Sequence, residues 1–274
     1  MKEKININKL IEKSQKYRLD LFDMCASKKR GHVQSSFSLV ELIISLYDFA
    51  LKHDPKNPLS EDRDRLIVSE GHAAIVQYPA LVDHNYFPKE ELSKFTLTNG
   101  LLRQYPDNSI PGIECATGSL GHGLGIGAGL ALHEKKRGKN YNVFVIISDG
   151  EYWEGSISEA AQFSAHNSLN NLIAILNHNR LSILGEIEKL LRQEPLEEKW
   201  KSYGWFVQRI NGHSYNEIID SFRKIFYKNI DISNQDYNKP SIILAETVKG
   251  KGIKEMEGNP FWHNIFPNEE KLSQ

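Results

Sequence analysis

Residues 141–184 read YNVFVIISDGEYWEGSISEAAQFSAHNSLNNLIAILNHNRLSIL, and this stretch decides the fold. Residues 142–148 form a short run rich in Val, Ile and Phe, the composition of a strand buried on both faces, and Asp149-Gly150 stops it. Ile157, Ala160, Ala161 and Ala165 then recur at helical spacing, and a second apolar run, 171–176, ends in Asn177, His178 and Asn179. The pattern predicts a β-α-β unit. Its two strands run parallel and put their carboxyl ends on one edge, where open α/β sheets bind ligands. Asp149 and Asn179 are therefore expected to meet.

A carboxylate and a carboxamide converging at a strand edge suit a hard divalent cation such as Mg²⁺. This ion takes one or two protein carboxylates and fills its octahedron with waters and ligand phosphates. Gly150 would let the backbone approach a ligand closely. The same residues also fit an ordinary strand-ending turn at Asp149-Gly150 with Asn179 capping the next loop.

Composition narrows the class. The chain has 274 residues, enough for one large α/β domain, with 40% hydrophobic and 25% charged residues, as in ordinary soluble proteins. A net charge of −1 gives no case for nucleic acid or an acidic membrane surface. The two cysteines, Cys25 and Cys115, are far apart and are expected to stay reduced. The polar start MKEKININKL lacks the apolar core of an export signal, and no run approaches the ~20 apolar residues that span a bilayer. The chain reads as cytoplasmic.

Along the chain, Ile11, Leu21, Phe22 and Cys25 predict a helix over residues 8–27, and Ser38 three residues before Glu41 predicts a capping box opening the next one. A strand is expected over 65–69, followed by a helix starting at Gly71-His72, where free N–H groups could receive phosphate. Residues 96–110 read as loop. In GSLGHGLGIGAGLAL, Gly121, Gly125 and Gly129 share one helical face, open to close approach by a backbone or a flat ligand. Further helices are expected over 190–201 and 215–227, and strands over 205–210 and 241–246. The alternation predicts a mainly parallel sheet covered by helices on both faces.

Asp149-Gly150-Glu151 with Glu154-Gly155, then Asn179, resembles the metal and diphosphate signature of thiamine-diphosphate enzymes in the version used by transketolases. Arg30-Gly31-His32 with Ser35-Ser36, and Asp62-Arg63 through Ser69-Glu70-Gly71-His72, look like that family's two Gly-His loops. Pro111-Gly112-Ile113-Glu114 with Thr117 to Gly123 looks like its glycine-rich segment. Lys249-Gly250-Lys251-Gly252 followed by Trp262-His263 looks like its C-terminal loop.

The resemblance implies a thiamine-diphosphate-binding fold, with thiamine diphosphate and Mg²⁺ as cofactors. By it, Asp149, Asn179 and the carbonyl of Leu181 would bind the metal. Gly150, Glu151, Asn179, His72 and His263 would serve the diphosphate, and Gly118, Ser119 and Leu120 would line the thiamine. Glu154 and Glu159 would face a partner, although Ser156-x-x-Glu159 is itself a capping-box pattern. His32 and His263 would reach the oxygens of a donor sugar.

Residues 1–274 cover only the diphosphate domain of a three-domain transketolase. The resemblance is therefore to the N-terminal subunit of a split enzyme. Its partner, a C-terminal subunit carrying the pyrimidine-binding domain and the activating glutamate, would complete an α2β2 heterotetramer acting on sugars or sugar phosphates. Four departures stand out. Tyr105 occupies the place of a donor-contacting histidine, Ser148 precedes Asp149 where glycine is usual, Asn177-His178 replaces an Asp-containing pair, and Val33 replaces a proline. The metal and diphosphate set is kept and the substrate set altered, which implies ketol transfer from an unusual donor in a specialised sugar pathway. A subunit of another thiamine-diphosphate carboligase or decarboxylase, or a silent scaffold subunit, would share much of the pattern.

Overall fold

The computed structural model describes residues 6–139 and 141–263. Five parallel strands form the central sheet: β1 (Arg65–Val68), β2 (Val143–Ser148), β3 (Leu172–His178), β4 (Phe206–Asn211) and β5 (Ser241–Glu246). Their order is β1-β2-β3-β5-β4. The predicted β-α-β unit is present. β2 and β3 pair from Val143↔Leu172 to Ser148↔Asn177, and β5 continues the edge with His178↔Glu246.

Alternation along the apolar runs splits the core in two, which is why the strands read as continuously hydrophobic. Phe144, Ile146, Ile173, Ile175 and Ile243 face one side. There they pack with α1 (Ile7–Ala26), α2 (Val33–Phe37), α3 (Val40–Ser45), α4 (Gln77–Asp83) and the later helix Tyr215–Ile230. Val143, Val145, Ile147, Leu172, Ala174 and Leu176 face the other side, under α5 (Gly123–Arg137), α6 (Gly155–His166) and α7 (Leu196–Ser202); Tyr215–Ile230 is α8. Among the described residues no helix is long and apolar enough to cross a membrane.

Several local expectations are corrected. Ser38 caps nothing. α3 starts after Leu39, and Ser38 Oγ donates to the Ser35 carbonyl, while Glu41 turns to Arg18 and His213. The helix expected from Gly71 begins only at Ala74, with a single 3-10 turn before α4, so His72 stands on the preceding turn. The 190–201 helix is two pieces, Ile187–Leu190 and Leu196–Ser202. Pro195 separates them because the residue before a proline avoids helical geometry. Ser156 forms no capping box; its hydroxyl donates to the Gly121 carbonyl, and Glu154 is the N-cap of α6. The glycine face of α5 that meets the sheet is Gly123 and Gly127, where a Cβ would lie 2.2 Å from Ser69 Oγ and 2.4 Å from Val145 Cγ2. Gly125 and Gly129 have nothing within 4 Å.

Candidate active site

The parallel register brings the segments after β1, β2, β3 and β5 to one edge. Ser69–His72, Asp149–Glu151, 179–182 and 247–249 all leave the sheet there. Above them is a cavity of about 350 Å³ walled by His32, Glu70, His72, Tyr105, Gly118, Leu120, Gly150, Asn179, Leu181, Lys249 and His263, among others. A larger cavity, about 800 Å³, lies beside α1 and gathers none of the sequence-predicted residues.

Three imidazoles converge in the active-site cavity. The ring centroids of His32 and His72, and of His32 and His263, are 5.2 Å apart, and those of His72 and His263 are 5.3 Å apart. Tyr105 stands 6.5 Å from His32. Burial, with neighbouring positive charge, keeps all three histidines neutral. His32 is held below its usual value by burial and Lys249, and His72 well below it by burial and the other two rings. His263 is pushed down to about 3. Nδ1 of His32 and Nδ1 of His263 have no hydrogen-bond partner among the described residues.

Asp149 lies fully buried under the cavity. Its Oδ1 accepts from His178 Nδ1 at 2.6 Å and its Oδ2 from the Arg180 amide at 2.6 Å. Asn179 Oδ1 accepts from the Leu181 amide at 3.1 Å. These bonds hold the Asp149 carboxylate, which follows β2, against the 179–181 turn after β3, and gather a carboxylate, a carboxamide and the Leu181 backbone, oxygen donors of the kind Mg²⁺ takes. Burial opposes a charged His178, but the hydrogen bond and field of Asp149 prevail and raise its pKa.

Not every predicted residue reaches the cavity. Glu151 is a latch beneath it, accepting from Ser69 Oγ and from the amides of Gly121 at 2.8 Å and Ser148 at 3.2 Å. Ser119 is exposed, with Oγ 3.4 Å from His122 Nδ1. Glu154 is exposed beside a separate depression with Tyr152 and Trp153, on the outer surface. Conversely, the sequence reading assigned no role to three residues that matter here. Lys249 is 4% exposed, and its ammonium has no hydrogen bond or ion pair among the described residues. Glu70 is raised to about 8 by burial. His178 holds Asp149. Each is an ionisable residue within three positions of a strand's carboxyl end, a signal that could have singled them out. A Cβ at Gly71 would lie 2.4 Å from the Thr117 carbonyl oxygen, so glycine lets the His72 and Gly118 loops close on each other.

Residues 11–269 match the family described as "Transketolase, thiamine diphosphate binding domain". The chain belongs to the transketolase family. It is 34% identical over 261 residues to an apulose-4-phosphate transketolase subunit of Phocaeicola vulgatus, covering 95% of this chain and 90% of that one. It is 38% identical over 241 residues to the 6-deoxy-6-sulfo-D-fructose transketolase subunit SqwG of a Clostridium species, covering 88% and 85%. The transketolase of Campylobacter jejuni superposes with a TM-score of 0.89 at 30% identity, covering 98% of this chain but 42% of that chain. This transketolase-family chain thus spans most of the subunit-length relatives and about two fifths of the solved transketolase.

Proposed function

We propose that this chain is the diphosphate-binding subunit of a two-chain transketolase. In that role it moves a two-carbon ketol unit from a ketose donor to an aldose acceptor together with a C-terminal subunit that carries the pyrimidine-binding and third domains. The observation that carries the reading is the convergence of three imidazoles and the unpaired Lys249 ammonium over Asp149 and the 179–181 turn. A buried, unpartnered ammonium calls for an anion, and a diphosphate answers it. Match to relatives named as transketolase subunits, over nearly their whole length, supports the division into chains. An α2β2 assembly and a cytoplasmic setting, in which Cys25 and Cys115 stay free thiols, complete the proposal.

The walls fit thiamine diphosphate with Mg²⁺. Asp149, Asn179 and the Leu181 carbonyl would hold the ion, Lys249, His72 and Gly150 the diphosphate, and Gly118 and Leu120 the ring system. Bound there, the cofactor supplies the electron sink that lets a carbon–carbon bond next to a carbonyl break and form. The chain's residues do the rest. His32 and His263, neutral and each with an unpartnered Nδ1, can hydrogen-bond a sugar hydroxyl there and hold it in place. Tyr105 and the apolar Leu120 and Ile183 shape the mouth and limit water. The relatives' names point to unusual sugars, apulose 4-phosphate and 6-deoxy-6-sulfo-D-fructose, and Tyr105 supports a donor other than the common pentose phosphates here.

The test is reconstitution. Alone, the chain should bind thiamine diphosphate weakly and show no turnover; mixed with its C-terminal partner it should bind the cofactor tightly and turn over. Ketol transfer by the single chain at the rate of the mixture would refute the division of labour.

A further inference from the structure

Among the described residues, Glu70 is the one carboxyl group in the wall of the active-site cavity, and the function proposed above gives it no task. It stands on the turn after β1, two residues before His72, and only 1% of it is exposed. Its two oxygens are placed differently. Oε1 accepts from Asn177 Nδ2 at 2.8 Å. Oε2 lies 3.9 Å from His72 Nε2, too far for a hydrogen bond, and has no hydrogen-bond partner among the described residues. It is not sealed off as the inaccessible unpartnered atoms of the protein are, so it keeps an opening on the cavity that Glu70 lines.

The groups around Glu70 come from each element packed against it. Asp149 and Glu151, from the segment after β2, are acidic; Lys249, from the segment after β5, is the cation; His72, on the same turn, is held neutral by burial; and β3 presents the uncharged Asn177. Burial acts most strongly on Glu70 and the two acidic neighbours act with it, against Asn177 and Lys249, so its pKa rises from 4.5 to about 8. At neutral pH the side chain is a carboxylic acid. Its proton belongs on the oxygen that Asn177 leaves free, which turns Oε2 from an acceptor into a donor facing the cavity.

We propose that Glu70 is a further diphosphate-binding residue that works as a neutral acid, its Oε2–H donating to a phosphate oxygen, so that the proton stays on Glu70 while the cofactor is bound. The proposal rests on the diphosphate-binding reading and adds a proton to it. An ionised Glu70 would set like charge against the diphosphate in a buried wall where Lys249 is the cation at hand. Mg²⁺ at Asp149 would be balanced by that carboxylate and by the phosphate oxygens themselves. A carboxylic acid kept neutral by its surroundings so that it can donate a hydrogen bond is an arrangement that protein sites use elsewhere. Where Glu70 is ionised beforehand, cofactor binding must therefore draw a proton from solution.

The experiment is calorimetry of thiamine diphosphate binding, with saturating Mg²⁺, to the reconstituted two-chain complex at pH 7 and pH 9. Two buffers of different ionisation enthalpy are used at each pH, for wild type and Glu70→Gln. Glutamine has the same length, keeps an acceptor for Asn177 Nδ2 and cannot ionise, so the variant should fold; titrations of Lys249 and of the partner's groups are common to both proteins and cancel in the comparison. With an unliganded pKa of about 8, wild type should take up about one proton more than the variant at pH 9 and about a tenth of a proton more at pH 7, and its affinity relative to the variant should fall about tenfold over that interval. Binding with the same proton count in both proteins at pH 9 would overturn the proposal and leave Glu70 ionised against Lys249. Equal weakening of the variant at both pH values would overturn it too and make Glu70 a structural residue, and so would a wild-type affinity that does not fall between pH 7 and 9, whatever the variant does. Failure of both proteins to bind the cofactor would refute the diphosphate-binding reading itself, and the proposal with it.

Discussion

Lys249→Met separates stability from cofactor affinity, and the structure gives the two effects opposite signs. Methionine keeps the unbranched stem and removes the charge. In the unliganded chain the Lys249 ammonium is buried without a partner. Burial pulls its pKa below 10.5 despite the fields of Glu70 and Asp149. Replacing such a charge with an apolar side chain of similar length should stabilise the unliganded protein by roughly 1–3 kcal/mol. Because the folded state holds that proton less tightly than the unfolded chain, wild-type stability should rise with pH from the depressed folded pKa up to 10.5, and the variant should lose this slope. In the proposed function the same ammonium would make a charge-assisted contact with the diphosphate worth about 1.5–3 kcal/mol, so affinity should fall about 10- to 150-fold. Urea unfolding across pH measures the first effect, and calorimetry of thiamine diphosphate binding to the reconstituted complex measures the second. A variant that is less stable than wild type yet binds the cofactor unchanged would refute the reasoning and make Lys249 a structural residue.

Asp149→Asn keeps the size of the side chain but removes the only charge among the proposed metal ligands; Mg²⁺-dependent cofactor binding in the reconstituted complex should be lost, and unchanged calorimetric affinity would refute the metal assignment. Glu41 is 6% exposed, and hydrogen bonds from His213 and Arg18 overcome burial to hold its pKa at about 2 against 4.5; about 3 kcal/mol of stability present above pH 4.5 should disappear as pH falls toward 2, and Glu41→Gln should flatten that part of the acid-unfolding curve. Tyr105→His should shift kcat/KM of the reconstituted enzyme toward xylulose 5-phosphate relative to deoxy and non-phosphorylated ketoses; an unchanged ranking would show that Tyr105 does not tune the donor site.

The central unit was legible because its signals are local. A buried strand, a polar stop and a helix repeat fix parallel ends, and the meeting of Asp149 with Asn179 follows from that alone. The position of β5 between β3 and β4 was not legible, since strand order depends on pairing across the whole chain. Pro195 inside the expected 190–201 helix was a readable stop that helical charge patterning obscured. The Ser38 capping box failed for a local reason, as its hydroxyl bonds back to the Ser35 carbonyl at the end of α2, and the Ser156 box for a tertiary one, as its hydroxyl reaches Gly121. Glu151 sits in the signature triplet, but nothing in sequence shows that its carboxylate turns inward to tie Ser69, Gly121 and Ser148 together.

The departures at Asn177 and His178 become intelligible only with their partners. Asn177 Nδ2 donates to Glu70 Oε1 at 2.8 Å and to Ser38 Oγ at 3.1 Å, while its Oδ1 accepts from Thr247 Oγ1 at 2.6 Å. His178 donates to Asp149. An aspartate at 177 would set its carboxylate against that of Glu70, and an aspartate at 178 would set one against Asp149, in both cases fully buried. Two buried carboxylates at hydrogen-bond distance cannot both ionise without a large penalty. Glu70 is already pushed to about 8, by burial first and by the charges of Glu151 and Asp149 beside it. The carboxamide and the imidazole are both donors facing acceptors. Each departure at 177–178 is therefore matched to a carboxyl group on another loop, and changing one member of either pair alone would bury an unpaired or like-charged group beneath the cavity walled by His32, His72 and His263.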